Sequence, residues 1–222
     1  MEILKTFLDI FLHIDKNLAV VIANFGGWSY VILWLVIFME TGLVVTPFLP
    51  GDSLLFAAGA LAAMGSFNIW LLSGLLLLAA FVGDTVNYWI GHTVGSKAFD
   101  PNFKLRIINY ELKTGKILKP EYLHKAQSFY EKHGGKAILL SRFVPIVRTF
   151  APFVAGVGKM NYGKFVFYNA FGGLLWVAIF TFGGFFFGNI PIVRENFHYV
   201  VVAIILISVV PIGVEWWKGR KR

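Results

Sequence analysis

Two arginines, Arg142 and Arg148, stand inside an otherwise apolar stretch of the chain, residues 137–158. An arginine at membrane depth costs about 3 kcal/mol on insertion scales, so a pair in one stretch requires an explanation. A guanidinium binds a phosphate through two parallel hydrogen bonds. One interpretation is therefore an anion site, most naturally for the phosphate of a lipid headgroup. The alternative is that both side chains reach toward the membrane surface or form internal salt bridges with Glu40 or Asp52.

Two carboxylates, Glu40 and Asp52, flank a break rich in proline and glycine within a second apolar stretch. Carboxylates inside membrane spans commonly form proton relays, because burial favours the protonated form of the acid. The sequence leaves open whether these two acids carry protons or only neutralise the arginines. Asp52 also follows Pro50 and Gly51 and precedes an apolar run, so it is a candidate N-cap of a helix.

Asp84 and Tyr88 are secondary candidates, one helical turn apart and therefore on one face of a helix. We expect them to make a polar contact that packs helices together rather than to act in transport. No metal site and no cofactor are expected, because the chain has no cysteine and its histidines lack metal-ligand spacing. Four of the five histidines, His92, His124, His133 and His198, are scattered among aromatic and basic residues.

The composition is typical of a membrane protein. Of the 222 residues, 57% are apolar and 14% are charged, whereas about a quarter of a soluble domain is charged. No lysine or arginine occurs from Asn17 to Ser96, and no charged residue occurs from Phe165 to Val193. A spanning helix needs about 20 mostly apolar residues, so both stretches are long enough to cross a bilayer.

The formal net charge of +8 is concentrated in two places. Nine lysines and arginines fall between Lys97 and Lys136, and four more lie in the last five residues. Basic segments beside apolar spans indicate the cytoplasmic side of a membrane and attract anionic headgroups. The distribution therefore predicts a cytoplasmic loop and a cytoplasmic C-terminus, and it argues against binding to nucleic acid.

Each apolar half of the chain is interrupted by prolines at a corresponding place. The interruptions predict two re-entrant segments, at about residues 41–66 and 137–158. Non-helical backbone at membrane depth is tolerated only inside protein or beside a wet cavity. Two such segments that open to opposite sides form an inverted repeat, the arrangement that marks the midplane site of many transporters. The residues expected to break the helices are Pro47, Pro50, Gly51, Pro145 and Pro152.

The predicted fold is an all-α polytopic membrane protein with a single membrane domain over residues 1–222. It has about four full spans, and interfacial amphipathic helices at the N-terminus and in the basic loop. We expect the first span to end near Glu40. The other spans are predicted at about Trp70–Gly95, Phe165–Phe187 and Phe197–Val214, within a first half (1–96), a basic cytoplasmic loop (97–136) and a second half (137–222).

Four motifs carry a resemblance to a known family: ETGLVVTPFLPGDSLLF at 40–56, VGDxxNYxIG at 82–91, FYEKHGG at 129–135 and RFVPIVRTFAPFVAG at 142–156. With these motifs the sequence resembles the DedA family of bacterial inner-membrane proteins, in the SNARE-associated or VTT-domain superfamily, and it lies close to the family's namesake. The resemblance implies a multi-pass inner-membrane flippase or scramblase for a phospholipid or undecaprenyl phosphate, linked to the proton-motive force. It also implies functional weight for Glu40, Asp52, Arg142 and Arg148.

Two kinds of transport fit these residues. In the first, Arg142 and Arg148 hold a lipid phosphate, and protonation of Glu40 and Asp52 releases them to do so. In the second, the same acids serve a proton-coupled antiporter of small ions. An enzyme is not expected, because Asp52 lacks the Gly-x-Gly-Asp context of intramembrane proteases and no histidine follows Arg142 at a phosphatase spacing. The identity of the lipid, the direction and energy coupling of transport, and homo-oligomer formation are left open.

Overall fold

The computed structural model describes residues 24–43, 51–95, 104–107, 110–113 and 132–191. The predicted N-terminal interfacial helix, most of the predicted amphipathic helix of the basic loop and the last predicted span lie outside these residues. The described helices are α1 (Trp28–Gly42), α2 (Gly51–Ala63), α3 (Ile69–Ile90), α4 (Lys136–Ser141), α5 (Pro145–Val157), α6 (Tyr162–Val177) and α7 (Gly183–Gly188), with π-helical turns π1 (Gly91–Gly95) and π2 (Ala178–Phe182).

Two helical stretches, Ile69–Thr93 and Tyr162–Gly188, are long and apolar enough to cross a membrane. They coincide with two of the predicted spans. Large apolar side chains on them, such as Trp70, Leu78 and Phe167, expose half or more of their surface. The charged side chains that lie within the apolar stretches are buried: Glu40, Asp52, Asp84, Arg142 and Arg148. This polarity is the reverse of a soluble protein and fits a chain surrounded by lipid.

Within the described residues, one pair of short strands accompanies the helices. β1 (Lys104–Ile107) and β2 (Tyr110–Lys113) pair antiparallel within the predicted basic loop, with Leu105 opposite Leu112. The fold is helical as predicted, and this pair is an addition that the all-α prediction did not include. Apolar and charged residues alternate along both strands, and this period of two fits a strand rather than a helix.

Both predicted interruptions fall between helices. In the first half, α1 ends at Gly42 and α2 begins at Gly51, and the prolines Pro47 and Pro50 between them lie outside the described residues. In the second half, α4 and α5 are separate helices, and α5 begins at Pro145. A proline is well placed there, because the first N–H groups of a helix have no intrahelical acceptor.

Pro152 does not end a helix, contrary to the prediction. It lies inside α5, which continues to Val157. The proline ring fixes φ near its helical value and removes only the hydrogen bond to the carbonyl of Arg148, while packing holds the rest of the helix. The second interruption lies instead just before Pro145, where Val144 is extended with φ −114° and ψ 109°.

The chain divides into two compact units. Unit 1 contains residues 1–37, 48–79 and 174–222, and unit 2 contains residues 38–47 and 80–173. Each unit therefore draws on both predicted halves of the sequence.

The two units share a packing plan. In unit 1, the 13-residue helix α2 packs against π2 and α7, and in unit 2 the 13-residue helix α5 packs against π1. Glycines bring the backbones together in each unit. A Cβ on Gly59 would overlap the carbonyl of Thr181 in unit 1, and a Cβ on Gly91 would overlap the carbonyl of Phe153 in unit 2.

The close approach at Gly91 predicts the effect of adding one methyl group. Gly91→Ala should lower the free energy of unfolding by about 1–3 kcal/mol, because the new Cβ forces α5 away from π1. Gly74→Ala is the matched control, since Gly74 lies in α3 with open space around its Cβ position. Thermal unfolding of both variants in detergent makes the comparison, and equal melting temperatures would contradict the described contact.

Candidate functional site

Glu40 and Arg148 form a buried ion pair in unit 2, in which Nη2 of Arg148 donates to Oε1 of Glu40. Glu40 lies near the end of α1, and Arg148 lies in the first turn of α5. Glu40 is fully inaccessible to solvent, and Arg148 is buried. One of the two interpretations of the arginines, an internal salt bridge with Glu40, therefore describes this pair as the structure has it.

Asp84 and Arg142 form a second buried ion pair in unit 2. Nη2 of Arg142 donates to Oδ2 of Asp84 and also to Oδ1 of Asn169, at 2.5 Å. The amide of Asn169 in turn donates to the carbonyl of Phe81, one turn before Asp84 in α3. Asp84, a secondary candidate that was expected to make a polar contact between helices, is the carboxylate that meets the first arginine.

Both pairs bury ionisable side chains almost completely away from solvent. A buried ion pair contributes little net stability compared with apolar residues of similar size, although loss of one partner is costly. Ionisable side chains inside membrane spans are rare and usually mark a substrate or proton path. Four such groups within one unit therefore define the candidate site: Glu40, Asp84, Arg142 and Arg148.

Asp52 lies in unit 1, where its carboxylate has a partner that the sequence did not suggest. Nε1 of Trp176 donates to Oδ1 of Asp52 at 2.7 Å, and both side chains are buried. Asp52 was a candidate N-cap, and it is the second residue of α2, where the helix dipole favours a negative charge. The tryptophans were expected to form interface belts and packing. The sequence signal for a different role was the position of Trp176, which lies far from either end of its predicted span and so outside an interface belt.

Tyr88 is buried and contacts other segments of unit 2. Its hydroxyl donates to the carbonyl of Met160, and its ring stacks on Phe165 with centroids 4.5 Å apart. Among the described residues, no group of three His, Cys, Asp or Glu side chains is placed to hold a metal ion.

The hydrogen bond between Trp176 and Asp52 predicts that substitutions at two tryptophans of unit 1 change the free energy of unfolding by different amounts. Trp176→Phe removes the indole N–H and leaves a buried carboxylate one donor short, so unfolding should become easier by about 1.5–3 kcal/mol. Trp28→Phe is the control, because the side chain of Trp28 is 70% exposed. Denaturant unfolding of the two variants would refute this reading if they differed from the parent by the same amount.

The chain resembles several known proteins. A family model described as the VTT domain matches residues 49–186. Protein DedA of Escherichia coli K12 is 52% identical over 218 residues, which cover 97% of this chain and 94% of that protein. An uncharacterized membrane protein of Mycobacterium leprae is 37% identical over 84% of this chain and 78% of its own length. Inner membrane protein YqjA of Escherichia coli K12 is 34% identical over 83% of this chain and 79% of its own length. No solved structure matches the chain with significance.

Proposed function

Because the chain belongs to the VTT-domain family that includes Protein DedA, we propose that it moves a phosphate-bearing lipid between the leaflets of a bacterial inner membrane. The lipid is undecaprenyl phosphate or a phospholipid. The proposed activity is transport without covalent chemistry, by a multi-pass protein whose basic loop and C-terminus face the cytoplasm. Its partners are membrane lipids and protons, and homo-oligomers are compatible with it.

The observation that carries the proposal is that both arginines are buried in ion pairs with carboxylates. Each guanidinium lies at an interruption between helices and is held by a carboxylate from another segment: Arg148 by Glu40 and Arg142 by Asp84. A phosphate offers a guanidinium the same acceptor chemistry as a carboxylate, with bidentate geometry. A lipid phosphate can therefore take the place of either carboxylate without leaving an arginine uncompensated.

Exchange between carboxylate and phosphate supplies a transport cycle. Protonation of Glu40 removes its negative charge and frees Arg148 for the phosphate, and protonation of Asp84 does the same for Arg142. Loss of the protons on the other side restores the ion pairs and expels the phosphate. Asp52, held by Trp176 in unit 1, is proposed as a further group that accepts a proton.

The shared plan of the two units supports the proposed architecture. In the described part of each unit, a 13-residue helix packs on a π-helical turn through glycines, as expected of an inverted repeat with two re-entrant segments. π-Helical turns are rare in proteins, and those that occur are often found at functional sites. The exposed apolar faces of the long helices would let the acyl or isoprenoid tail stay in the lipid while the headgroup crosses.

The test is lipid translocation in proteoliposomes. Labelled undecaprenyl phosphate and a labelled phospholipid are followed across vesicles that contain the purified protein, at two pH values. The proposal expects movement of at least one lipid, a response to pH, and loss of movement in the Arg142→Ala/Arg148→Ala variant. If folded protein moves neither lipid at either pH, the proposal is wrong.

The same vesicles distinguish the second kind of transport. The buried carboxylates would also serve a proton-coupled antiporter of small ions, although the arginines beside them oppose a cation path. Proton flux driven by a cation gradient, in vesicles without a labelled lipid, would favour that activity.

A further inference from the structure

Asn87 connects the two chain segments that carry the Glu40–Arg148 pair. Its side chain is fully buried in α3, within unit 2. The amide nitrogen donates to the carbonyl of Thr41 at 3.0 Å and to the carbonyl of Thr149 at 2.7 Å. Thr41 follows Glu40 in the sequence, and Thr149 follows Arg148. One amide group therefore holds the backbone next to each member of the ion pair.

The chemistry of the amide fixes its orientation. An asparagine has two N–H donors on one atom and an acceptor on the other. If the group turned over, its oxygen would face the two carbonyl oxygens of Thr41 and Thr149. The carbonyl of Thr41 is also among the last four of α1, which have no intrahelical donor. Asn87 thus supplies a hydrogen-bond donor to a carbonyl at the end of α1 and at the same time binds the backbone of α5.

Two glycines make this double contact possible. Gly83 and Gly91 stand one helical turn before and one turn after Asn87. A Cβ on Gly83 would overlap the side chain of Thr41, and a Cβ on Gly91 would overlap the backbone of α5. Both segments therefore approach α3 closely enough for a short side chain to reach each of them. The spacing Gly-x3-Asn-x3-Gly is visible in the sequence.

The amide oxygen shows that Asn87 is not placed for packing alone. Oδ1 is buried and accepts no hydrogen bond from the residues that the structure describes, which is an unfavourable state for a polar atom. A leucine of similar size would fill the same space without that penalty. The two donors on the opposite side of the amide must therefore account for the presence of asparagine here.

We propose that Asn87 is the positioning residue of the Glu40–Arg148 pair, and that its two hydrogen bonds hold α1 and α5 at the separation at which the pair closes. The inference rests on the proposed function, because it gives the pair a cycle of opening and closing. It assigns Asn87 to one pair only. Asn169, which binds Arg142 directly, serves the other pair and is the matched comparison.

The test is selective coupling between residues. Asn87→Leu and Asn169→Leu are each combined with Arg148→Lys and with Arg142→Lys, and lipid translocation is measured for all variants. We expect Asn87→Leu to slow translocation on the order of tenfold in the parent and with Arg142→Lys, but by less than about twofold with Arg148→Lys. Asn169→Leu should show the reverse pattern. A similar reduction by Asn87→Leu in both arginine backgrounds would overturn the proposal, since a general loss of stability has no such selectivity.

A further measurement separates this inference from the proposed function. Thermal unfolding of the same variants reports the coupling even if the parent moves no lipid. There, non-additivity of Asn87→Leu with Arg148→Lys, and additivity with Arg142→Lys, is expected. If Asn87→Leu does not fold, Asn87→Ser replaces it, because serine keeps one donor and should show a smaller effect of the same selectivity. Additive effects with both arginines would refute the assignment of Asn87.

Discussion

Replacing Glu40 with leucine and Arg148 with methionine together is expected to give a protein that folds and inserts but translocates lipid at a strongly reduced rate. Exchange of a whole buried ion pair for apolar residues of similar volume is often neutral or stabilising by about 1–4 kcal/mol. Arg148→Met alone leaves the inaccessible Glu40 carboxylate without this cation and should cost about 3–5 kcal/mol of stability. The double variant thus separates the contribution of the pair to stability from its role in transport.

The two readouts are denaturant unfolding and translocation in proteoliposomes. The single variants Glu40→Leu and Arg148→Met serve as controls, and both are expected to be less stable than the double variant. If the stable double variant still translocates lipid at the parental rate, the pair is a structural element and not part of the transport site.

The second large effect is expected at Asp84. Asp84→Asn keeps the shape of the side chain but removes the charge that compensates the buried guanidinium of Arg142. We expect a loss of about 3–5 kcal/mol of stability and translocation as impaired as in Arg142→Ala. A polar contact that only packed helices together would give a much smaller effect.

Tyr88→Phe is the matched control for Asp84→Asn. Tyr88 lies one turn further along α3, and the substitution removes a single hydrogen bond to the carbonyl of Met160. This loss is expected to cost about 0.5–1.5 kcal/mol and to leave translocation largely intact. Should the two variants unfold and transport alike, the ion pair with Arg142 would carry no special role.

The candidate residues could be identified from the sequence because the cost of burying a charge is a local property. Arg142, Arg148, Glu40 and Asp52 stood out in apolar stretches, and all four are buried in the described structure. The interruptions before Gly51 and Pro145 could also be predicted, because proline and glycine affect the backbone of the segment in which they stand. The family followed from motifs that contain the same residues.

A salt bridge to Glu40 was one of the alternatives that the sequence offered, but which arginine pairs with which carboxylate could not be predicted, because it depends on contacts between distant segments. Glu40 and Arg148 are 108 residues apart, and Asp84 and Arg142 are 58 apart. No helical or strand period relates such positions. The same reason explains why Asn87 was overlooked, although it lies within a quoted motif, since its acceptors are backbone carbonyls of other segments.

The most direct test of the central claim is a distance measurement between the arginines and a lipid phosphate. Carbon–phosphorus dipolar couplings are recorded by solid-state NMR in proteoliposomes, with the arginine guanidinium carbon labelled and undecaprenyl phosphate or a phospholipid present. Parallel N–H···O bonds of about 2.7–2.9 Å would place that carbon within range of the phosphorus. The account predicts a coupling that Arg142→Lys/Arg148→Lys abolishes. A coupling unchanged by that double substitution, or none for either lipid, would contradict it.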